Sequence, residues 1–295
     1  MRIGTRASAL ALAQARAVLE LLGGGEIVPI LTSGDRDSAA ADEHALAGED
    51  KSRWVAELEQ ALQRGEIDVA VHSAKDLPGE LAEGLVLAGA PARAGAEDVL
   101  CGAEHLDALA AGARVGTSSI RRAAQLRAAR ADLTVVSMRG NVDTRLSKLG
   151  RGEYDAIVLA RAGLQRLGRE DAAGAVLDPA VFVPAPGQGT LALEARGGDA
   201  AAQEAIAAII DAEAFAALLA ERALARALDA DCHTPLGGHA TPWGGGLRLR
   251  AWLALGESGD WAGDELEGEI SDPEALGREV GARLALARGT IEAGA

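Results

Sequence analysis

Short apolar runs alternate with longer amphipathic segments along most of this 295-residue chain, which limits the folds open to it. The stretch RIGTRASALALAQARAVLELL (2–22) reads as a strand, a Gly-Thr turn and a helix that begins near Ser8. The stretch ARVGTSSIRRAAQLRAAR (113–130) repeats this pattern, with a helix that begins near Ser118 or Ser119. Such alternation predicts an α/β fold with largely parallel strands.

The order of the segments predicts three domains. VPAPGQGTLALEA (183–195) is a Pro/Gly linker that leads into a strand, as if the chain crosses back to its first domain. From about residue 212 a long Ala-rich helix, a loop, two strand-like segments and a final helix indicate a small α+β domain. We therefore expect two α/β domains joined by a crossover connection, with a binding cleft outside the carboxyl ends of the strands. The expected division is 1–92 with 190–210, then 93–189, and finally 211–295.

Composition excludes several kinds of partner. The formal net charge is −15 and aromatic residues make up 2% of the chain, so we expect neither nucleic acid nor a membrane surface as a partner. No apolar stretch is long enough for a membrane span or a secretory signal, and we expect a monomeric cytoplasmic protein. Only three of the 29 basic residues are lysines; the rest are arginines, whose planar side chains bind carboxylates in bidentate fashion.

Four polar side chains crowd the end of one predicted strand. In VAVHSAKDLP (69–78), an apolar run ends in His72, Ser73, Lys75 and Asp76 before a proline stops it. An ammonium beside a carboxylate at a strand end marks a candidate site.

Arginines and hydroxyls cluster at other strand ends. GTSSIRR (116–122) places a helix start beside Arg121 and Arg122, and MRGNVDTRL (138–146) adds Arg139 and Arg145. Free N–H groups at a helix N-terminus and adjacent guanidiniums both favour an anion. An ordinary serine cap with surface arginines is the alternative at each position taken singly. Together they predict a cleft lined for anions.

The two cysteines differ in context. Cys101 lies in a strand pattern and reads as a small core residue. Cys232 lies in a loop after a helix, between Asp231 and His233, where it could be an inert thiol, a nucleophile or a covalent attachment point. An isolated Asp-Cys-His sequence supplies too few ligands for a metal site, and no metal is expected.

Five motifs give the chain a specific resemblance. VHSAKDLP, VGTSSIRRAAQL, RGNVDTRLSKL, PAPGQG and a cysteine loop near the C-terminus occur in an order that resembles the porphobilinogen deaminase family, also called hydroxymethylbilane synthases. The resemblance extends over nearly the whole chain. It implies two α/β domains of the periplasmic-binding type and a third domain that carries the cysteine.

The resemblance also implies the reaction. Four porphobilinogen molecules are joined head to tail with loss of ammonia on a dipyrromethane cofactor, and hydroxymethylbilane is released by hydrolysis for heme biosynthesis. Each porphobilinogen carries an acetate and a propionate, which accounts for a cleft rich in arginine.

Site residues follow from the matching motif positions. Asp76 matches the catalytic aspartate, and Cys232 matches the cysteine that holds dipyrromethane through a thioether. The implied cofactor-binding residues are Lys75, Ser73, Thr117, Ser119, Arg121, Arg122, Arg139, Arg145, Gly140 and Asn141. The implied substrate-binding residues are Arg6, Ser8, Gln14, Arg139, Arg145, Arg166 and Lys51.

Two positions depart from the family pattern. Ala56 stands where a second lysine of the loop helix is common, and Asp231 replaces the glycine usual before the cysteine. The charge of Asp231 should disfavour the thiolate if it lies close. An inactive family member and a two-domain solute-binding protein without catalysis are the alternatives, although the latter gives no role to Asp76 or Cys232.

Overall fold

Strands and helices alternate through the larger part of the chain, as the sequence predicts. The structure, a computed structural model, describes residues 1–31, 52–231, 233–256 and 259–294. The first elements are β1 (Arg2–Arg6), α1 (Ala9–Leu21), β2 (Glu26–Ile30), α2 (Ser52–Gln63), β3 (Val69–Ser73) and β4 (Leu85–Gly89). They are followed by β5 (Asp98–Cys101), β6 (Arg114–Gly116), α3 (Ile120–Ala129), β7 (Thr134–Val136), α4 (Val142–Gly150), β8 (Ala156–Ala160), α5 (Arg161–Arg166) and β9 (Ala175–Val176). The last are β10 (Leu191–Arg196), α6 (Ala200–Ala207), α7 (Ala212–Ala227), β11 (Leu236–Trp243), β12 (Gly246–Leu255), β13 (Asp260–Gly268) and α8 (Pro273–Gly294).

Two five-stranded sheets have the same topology, although their strands carry different numbers. The first runs β2-β1-β3-β10-β4 and the second β7-β6-β8-β5-β9. In each sheet three neighbouring strands are parallel and the fourth is antiparallel to both of its neighbours. The antiparallel strand is the one that the chain enters from the other sheet: β5 follows β4, and β10 follows β9. This arrangement confirms the predicted fold class, two α/β units with crossover connections.

The two crossovers bear on the predicted division of the chain. Residues 90–97 lead from the first sheet to the second, and residues 177–190 lead back. The predicted boundaries at 92/93 and 189/190 fall in these connections, and as boundaries they stay a prediction.

A third sheet, β11-β12-β13, packs its apolar face on α7 and α8. The sequence predicts β12, β13 and both helices, but it predicts a loop over 229–238, where the structure has the start of β11. The reason lies in Gly237 and Gly238, which weaken a strand pattern. A Cβ on Gly237 would lie 2.9 Å from Val183, and one on Gly238 would lie 2.8 Å from Leu224, so close packing requires both glycines.

Aliphatic side chains form the cores, as expected from the low aromatic content. In the first sheet Ile3, Val18, Val69 and Leu193 are buried in one cluster between strands and helices. Burial of each such side chain contributes about 1.5–3 kcal/mol. Cys101 is fully buried in β5 among Val99 and other apolar side chains, which confirms its prediction as a core residue.

Candidate active site

A short 3-10 turn, Ala74–Asp76, carries the Lys75 and Asp76 pair directly after β3. Val69 and Val71 are buried in the sheet, whereas Lys75 and Asp76 are only partly buried. The turn is tied to β10 because the Ala74 N–H donates to the carbonyl of Thr190 over 3.0 Å. An ammonium and a carboxylate therefore follow the carboxyl end of β3, the central strand of its sheet.

Three helix N-termini carry the side-chain caps expected of an anion-binding cleft. The Ser8 hydroxyl accepts from the Ala11 N–H over 3.3 Å, and the Ser119 hydroxyl accepts from the Arg122 N–H over 3.4 Å. Asn141 caps α4 by accepting from the Thr144 N–H over 2.9 Å. Both predicted helix starts are thereby confirmed. The remaining free N–H groups of each first turn favour negative charge.

The structure brings two of these first turns together across α5. A Cβ on Gly163 of α5 would lie 4.0 Å from both Leu10 of α1 and Val142 of α4. Gln14, one turn further along α1, is buried. Helices from the two different sheets therefore meet at the cleft.

Arg145 joins the starts of α3 and α4. Its Nε donates to the Gly140 carbonyl over 2.7 Å, and its Nη2 donates to the Ser118 hydroxyl over 3.1 Å. Gly140 has φ +115, a conformation that favours glycine, and a Cβ there would lie 2.7 Å from Thr144. Thr117 is buried, and its hydroxyl accepts from the Ser119 N–H over 3.1 Å. Two of the predicted binding motifs thus form one connected structure.

Arg166 is a partly buried cation with a carbonyl partner. Its Nη2 donates to the Gly189 carbonyl over 2.7 Å. Burial lowers the pKa of Arg166 to about 10, and among the residues that the structure describes no acid counteracts this effect. Loss of hydration makes such a guanidinium a strong anion site.

Arg121 and Arg122 occupy a place that the sequence did not reveal. Both are buried and both bind Asp98, at 2.8 Å from Arg121 and 2.7 Å from Arg122. Arg121 also donates to the carbonyl of Val183 over 2.7 Å, and Arg122 to that of Val158 over 3.0 Å. The two side chains hold β5, α3 and the returning crossover together, and carboxylate binding by them stays a prediction.

Asp98 is the centre of this cluster. Burial raises the pKa of Asp98, but the charges of Arg121 and Arg122, with hydrogen bonds from Gln188 and Arg122, lower it to about 2. Gln188 donates to Asp98 over 2.8 Å and to the carbonyl of Ala96 over 2.7 Å. The PAPGQG motif, which contains Gln188, was the available signal, but its partner lies 90 residues away in the chain.

A second buried pair lies behind the Ala74–Asp76 turn. Nε2 of His72 lies 2.9 Å from Oε2 of Glu194, and both side chains are buried. The sequence singled out His72 as one of four polar groups, but it did not indicate Glu194 on the antiparallel strand β10.

The remaining predicted positions include two that the structure does not describe and several that it places near strand ends or on α2. Lys51 and Cys232 lie outside the described residues. Arg139 lies in the loop before α4, Arg6 ends β1 and Ser73 ends β3, and all three are partly buried. Ala56 is partly buried on α2.

Asp231, the residue before Cys232, has partners of its own. Its Oδ1 accepts from the His233 N–H over 2.9 Å and from the Thr234 hydroxyl over 2.9 Å. Partial burial raises the pKa of Asp231, but these hydrogen bonds outweigh it and lower the pKa overall. The carboxylate is thus a stable negative charge next to the cysteine in sequence.

Within the described ranges, no helix is long and apolar enough to cross a membrane. Solved structures with some similarity include immunogenic lipoprotein A from Vibrio vulnificus, at 14% identity, 72% coverage of this chain, 96% of that chain and TM-score 0.42. A periplasmic substrate-binding protein of an ABC transporter from Coxiella burnetii has 15% identity, 71% and 91% coverage and TM-score 0.40. The fold assignment rests on the strand order and the family, not on these two similarities.

Sequence comparison with known proteins identifies the family. Residues 1–204 match the family described as porphobilinogen deaminase, dipyromethane cofactor binding domain, and residues 215–285 match the porphobilinogen deaminase C-terminal domain. The porphobilinogen deaminase of Deinococcus radiodurans is 43% identical over 98% of this chain and 96% of its own length. That of Thermus thermophilus is 44% identical over 99% and 95%, and that of Xanthomonas euvesicatoria is 46% identical over 95% and 94%.

These matches span both sheets and the C-terminal domain, and they do not favour a solute-binding protein without catalysis. The chain belongs to the porphobilinogen deaminase family, the transferases that condense four porphobilinogen molecules into hydroxymethylbilane on a covalently held dipyrromethane cofactor.

Proposed function

We propose a residue-level assignment of the family reaction to this chain. Cys232 holds the dipyrromethane through a thioether, Asp76 is the catalytic carboxylate, and the cleft arginines bind the acetate and propionate groups of porphobilinogen and of the growing chain. The protein acts as a monomer in the cytoplasm, in keeping with its net charge of −15 and its two cysteines.

The observation that carries this proposal is the state of Arg166. The buried guanidiniums of Arg121 and Arg122 bind the carboxylate of Asp98. Arg166 is partly buried, and this lowers the pKa of its guanidinium to about 10 without an acid within the described ranges to offset the effect. This partly desolvated cation, whose Nη2 donates to the Gly189 carbonyl, supplies binding energy that a carboxylate of the substrate requires.

The residues of this cleft fit a dipyrromethane, whose side chains are carboxylates. The donor set consists of hydroxyls, helix N–H groups and guanidiniums, which are the groups that bind carboxylates. Arg145 contributes a guanidinium that already spans from Gly140 to Ser118. When bound, this cofactor supplies the pyrrole carbon to which the first substrate ring is joined. The residues that would hold it are Cys232, Lys75, Ser73, Thr117, Ser119, Arg121, Arg122, Arg139, Arg145, Gly140 and Asn141.

Arg121 and Arg122 contribute to this set in a specific way. Both guanidiniums are committed to Asp98 and to backbone carbonyls, so a cofactor carboxylate meets only the donors that these partners leave. Their main contribution is then to hold the first turn of α3, with Ser119, at the cleft.

Asp76 acts on the substrate. When ammonia leaves porphobilinogen, positive charge spreads onto the pyrrole nitrogen, and a fixed carboxylate stabilises that cation more than the neutral ring. Lys75, next in the same turn, binds a carboxylate of the chain. The residues that would bind incoming substrate are Arg6, Ser8, Gln14, Arg139, Arg145, Arg166 and Lys51.

Intact-mass spectrometry tests the attachment. We expect the purified wild-type protein to exceed the mass of the bare chain by two pyrrole rings, and Cys232→Ser to have the bare-chain mass. Cys101→Ser is the matched control, because Cys101 is fully buried in β5 and should not affect the added mass. A bare wild-type chain, or an added mass that survives Cys232→Ser, would contradict the proposal.

A further inference from the structure

Gly187 lies directly against the backbone of the Ala74–Asp76 turn. A Cβ built on Gly187 would lie 2.8 Å from the carbonyl carbon of Ala74, 2.8 Å from the amide nitrogen of Lys75 and 3.0 Å from Ala74 Cβ. The two nearest are backbone atoms, which cannot move aside as the end of a flexible side chain can. Gly187 also has φ +75. The returning crossover therefore touches the peptide bond that connects Ala74 to Lys75.

The position of Gly187 is fixed from the other side by a buried carboxylate. The Gly187 N–H donates to Oε2 of Glu221 over 2.6 Å, and Glu221 is a fully buried residue of α7. Glu221 also accepts from the Ala240 N–H over 2.7 Å and from Nη1 of Arg93 over 2.7 Å. Helix α7 ends at Ala227, shortly before Cys232 in the sequence. Glu221 thus connects the C-terminal domain and both crossovers at one carboxylate.

Hydrogen bonds through Thr190 also connect the returning crossover to the Ala74–Asp76 turn. The Thr190 N–H donates to the Gly187 carbonyl over 3.1 Å, and the Thr190 carbonyl accepts from the Ala74 N–H over 3.0 Å. The turn is consequently held both by contact at Gly187 and by a hydrogen bond three residues further along.

We propose that Gly187 is a positioning residue for Lys75 and Asp76, and that Glu221 sets its position from the C-terminal domain. The proposal rests on the proposed function, because it assumes that Asp76 is the catalytic carboxylate. A hydrogen at this position lets the crossover approach the turn closely. Any larger side chain would displace the turn, and with it the carboxylate that faces the substrate.

Any other residue at positive φ strains the backbone even where space is available, and a second glycine of the chain is a matched control for that effect. Gly65 has φ +67, and a Cβ on it would meet nothing within 4 Å. Gly187→Ala and Gly65→Ala therefore introduce the same kind of backbone strain, but only Gly187→Ala pushes against Ala74 and Lys75.

The experiment compares steady-state kinetics of porphobilinogen consumption for Gly187→Ala, Gly65→Ala and Asp76→Asn, normalised to the fraction that carries cofactor by intact mass. We expect Gly187→Ala to lower kcat by about tenfold to 100-fold, because a displacement near 1 Å costs that much, with KM within about twofold of wild type. Gly65→Ala should retain the wild-type kcat.

Glu221→Asp gives a second route to the same measurement if Gly187→Ala does not fold. The shorter carboxylate keeps its charge for Arg93 but withdraws from the Gly187 N–H, so kcat should again fall without a change in KM. If Asp76→Asn loses turnover while Gly187→Ala, or Glu221→Asp in its place, matches Gly65→Ala, the positioning role is wrong and the proposed function stands. If Asp76→Asn turns over like wild type, the proposed function is wrong and this proposal falls with it.

Discussion

Arg122 donates through Nε to Oδ1 of Asp98 over 2.9 Å, and both side chains are buried. Arg121 reaches the other oxygen of the same carboxylate at 2.8 Å. Two cations that follow a capped helix start are therefore neutralised in part by an acid on β5. The same ion pairs therefore stabilise the second sheet and hold the start of α3 at the cleft.

Asp98→Asn should destabilise the protein strongly. The substitution leaves Arg121 and Arg122 buried without their carboxylate, and removing one partner of a buried ion pair costs about 3–5 kcal/mol. Urea unfolding measures the loss. Asp107→Asn is the control, since Asp107 is 89% exposed and lies 3.9 Å from Arg130, and should change the free energy of unfolding by less than about 1 kcal/mol. Equal effects of the two substitutions would contradict the structural role of Asp98.

Acid should weaken the fold through the same carboxylate. The pKa of Asp98 is about 2 in the folded protein and 3.8 ordinarily. Because the folded value is the lower one, Asp98 contributes stability above pH 3.8, and that contribution is lost as the pH falls through about 2. A difference of this size corresponds to roughly 2 kcal/mol. Urea unfolding across this pH range should show a smaller decline for Asp98→Asn than for wild type, and an identical decline would count against the assignment.

Arg166→Leu should separate activity from stability. Burial of this cation is not offset by an acid within the described ranges, so replacing it removes an unfavourable charge and should leave the free energy of unfolding unchanged or higher. Turnover should fall by about tenfold or more, because a charge-assisted bond to a substrate carboxylate contributes about 1.5–3 kcal/mol. Arg278→Leu, at an arginine whose side chain is 59% exposed, is the control. A destabilised Arg166→Leu with normal turnover per folded molecule would reverse this interpretation.

The sequence predicted what depends on neighbours along the chain. Ser8 and Ser119 cap their helices because hydroxyls at these positions satisfy backbone N–H groups two or three residues on, an effect that is local by nature. The fold class followed from periodicity in the same way. The family resemblance then assigned roles to Asp76 and Cys232 that no periodicity could supply.

What the sequence did not reveal depends on contacts between distant residues. The sequence predicts Arg122 in a cleft lined for anions, with a surface charge as the alternative, and neither interpretation indicates Asp98 on β5. His72 gains Glu194 only through the antiparallel pairing of β3 with β10. The close approach of Gly187 to the Ala74–Asp76 turn has the same origin. A burial pattern gives neither the register between strands that are distant in the chain nor the strand that a given helix residue faces, so these partners require the structure.

Loss of one partner of the His72 and Glu194 pair should destabilise the protein more than loss of both. Both side chains are buried, so His72→Leu leaves Glu194 without its hydrogen bond and should cost about 1–3 kcal/mol. The double variant His72→Leu with Glu194→Leu removes both polar groups and should recover most of that loss, because replacing both partners by apolar groups is close to neutral. Urea unfolding of the two single variants and the double variant measures the coupling. Additive losses would show that the pair does not interact.

Asp76→Asn should keep the fold and lose the reaction. The asparagine preserves shape and hydrogen bonding in the Ala74–Asp76 turn, but it removes the charge that stabilises the pyrrole cation when ammonia leaves. Loss of one such electrostatic contact costs on the order of 100-fold or more in rate, so turnover should fall by at least that factor while circular dichroism and the unfolding midpoint stay unchanged.

Two further variants decide whether charge or position matters most. Asp76→Glu keeps the carboxylate at a shifted place and should retain a little activity, more than Asp76→Asn but far less than wild type. Glu83→Gln removes an exposed carboxylate seven residues further along the chain and should not affect turnover. If Asp76→Asn were within a few-fold of wild type, Asp76 would be a structural residue of the turn, and the catalytic carboxylate would have to be sought elsewhere in the cleft.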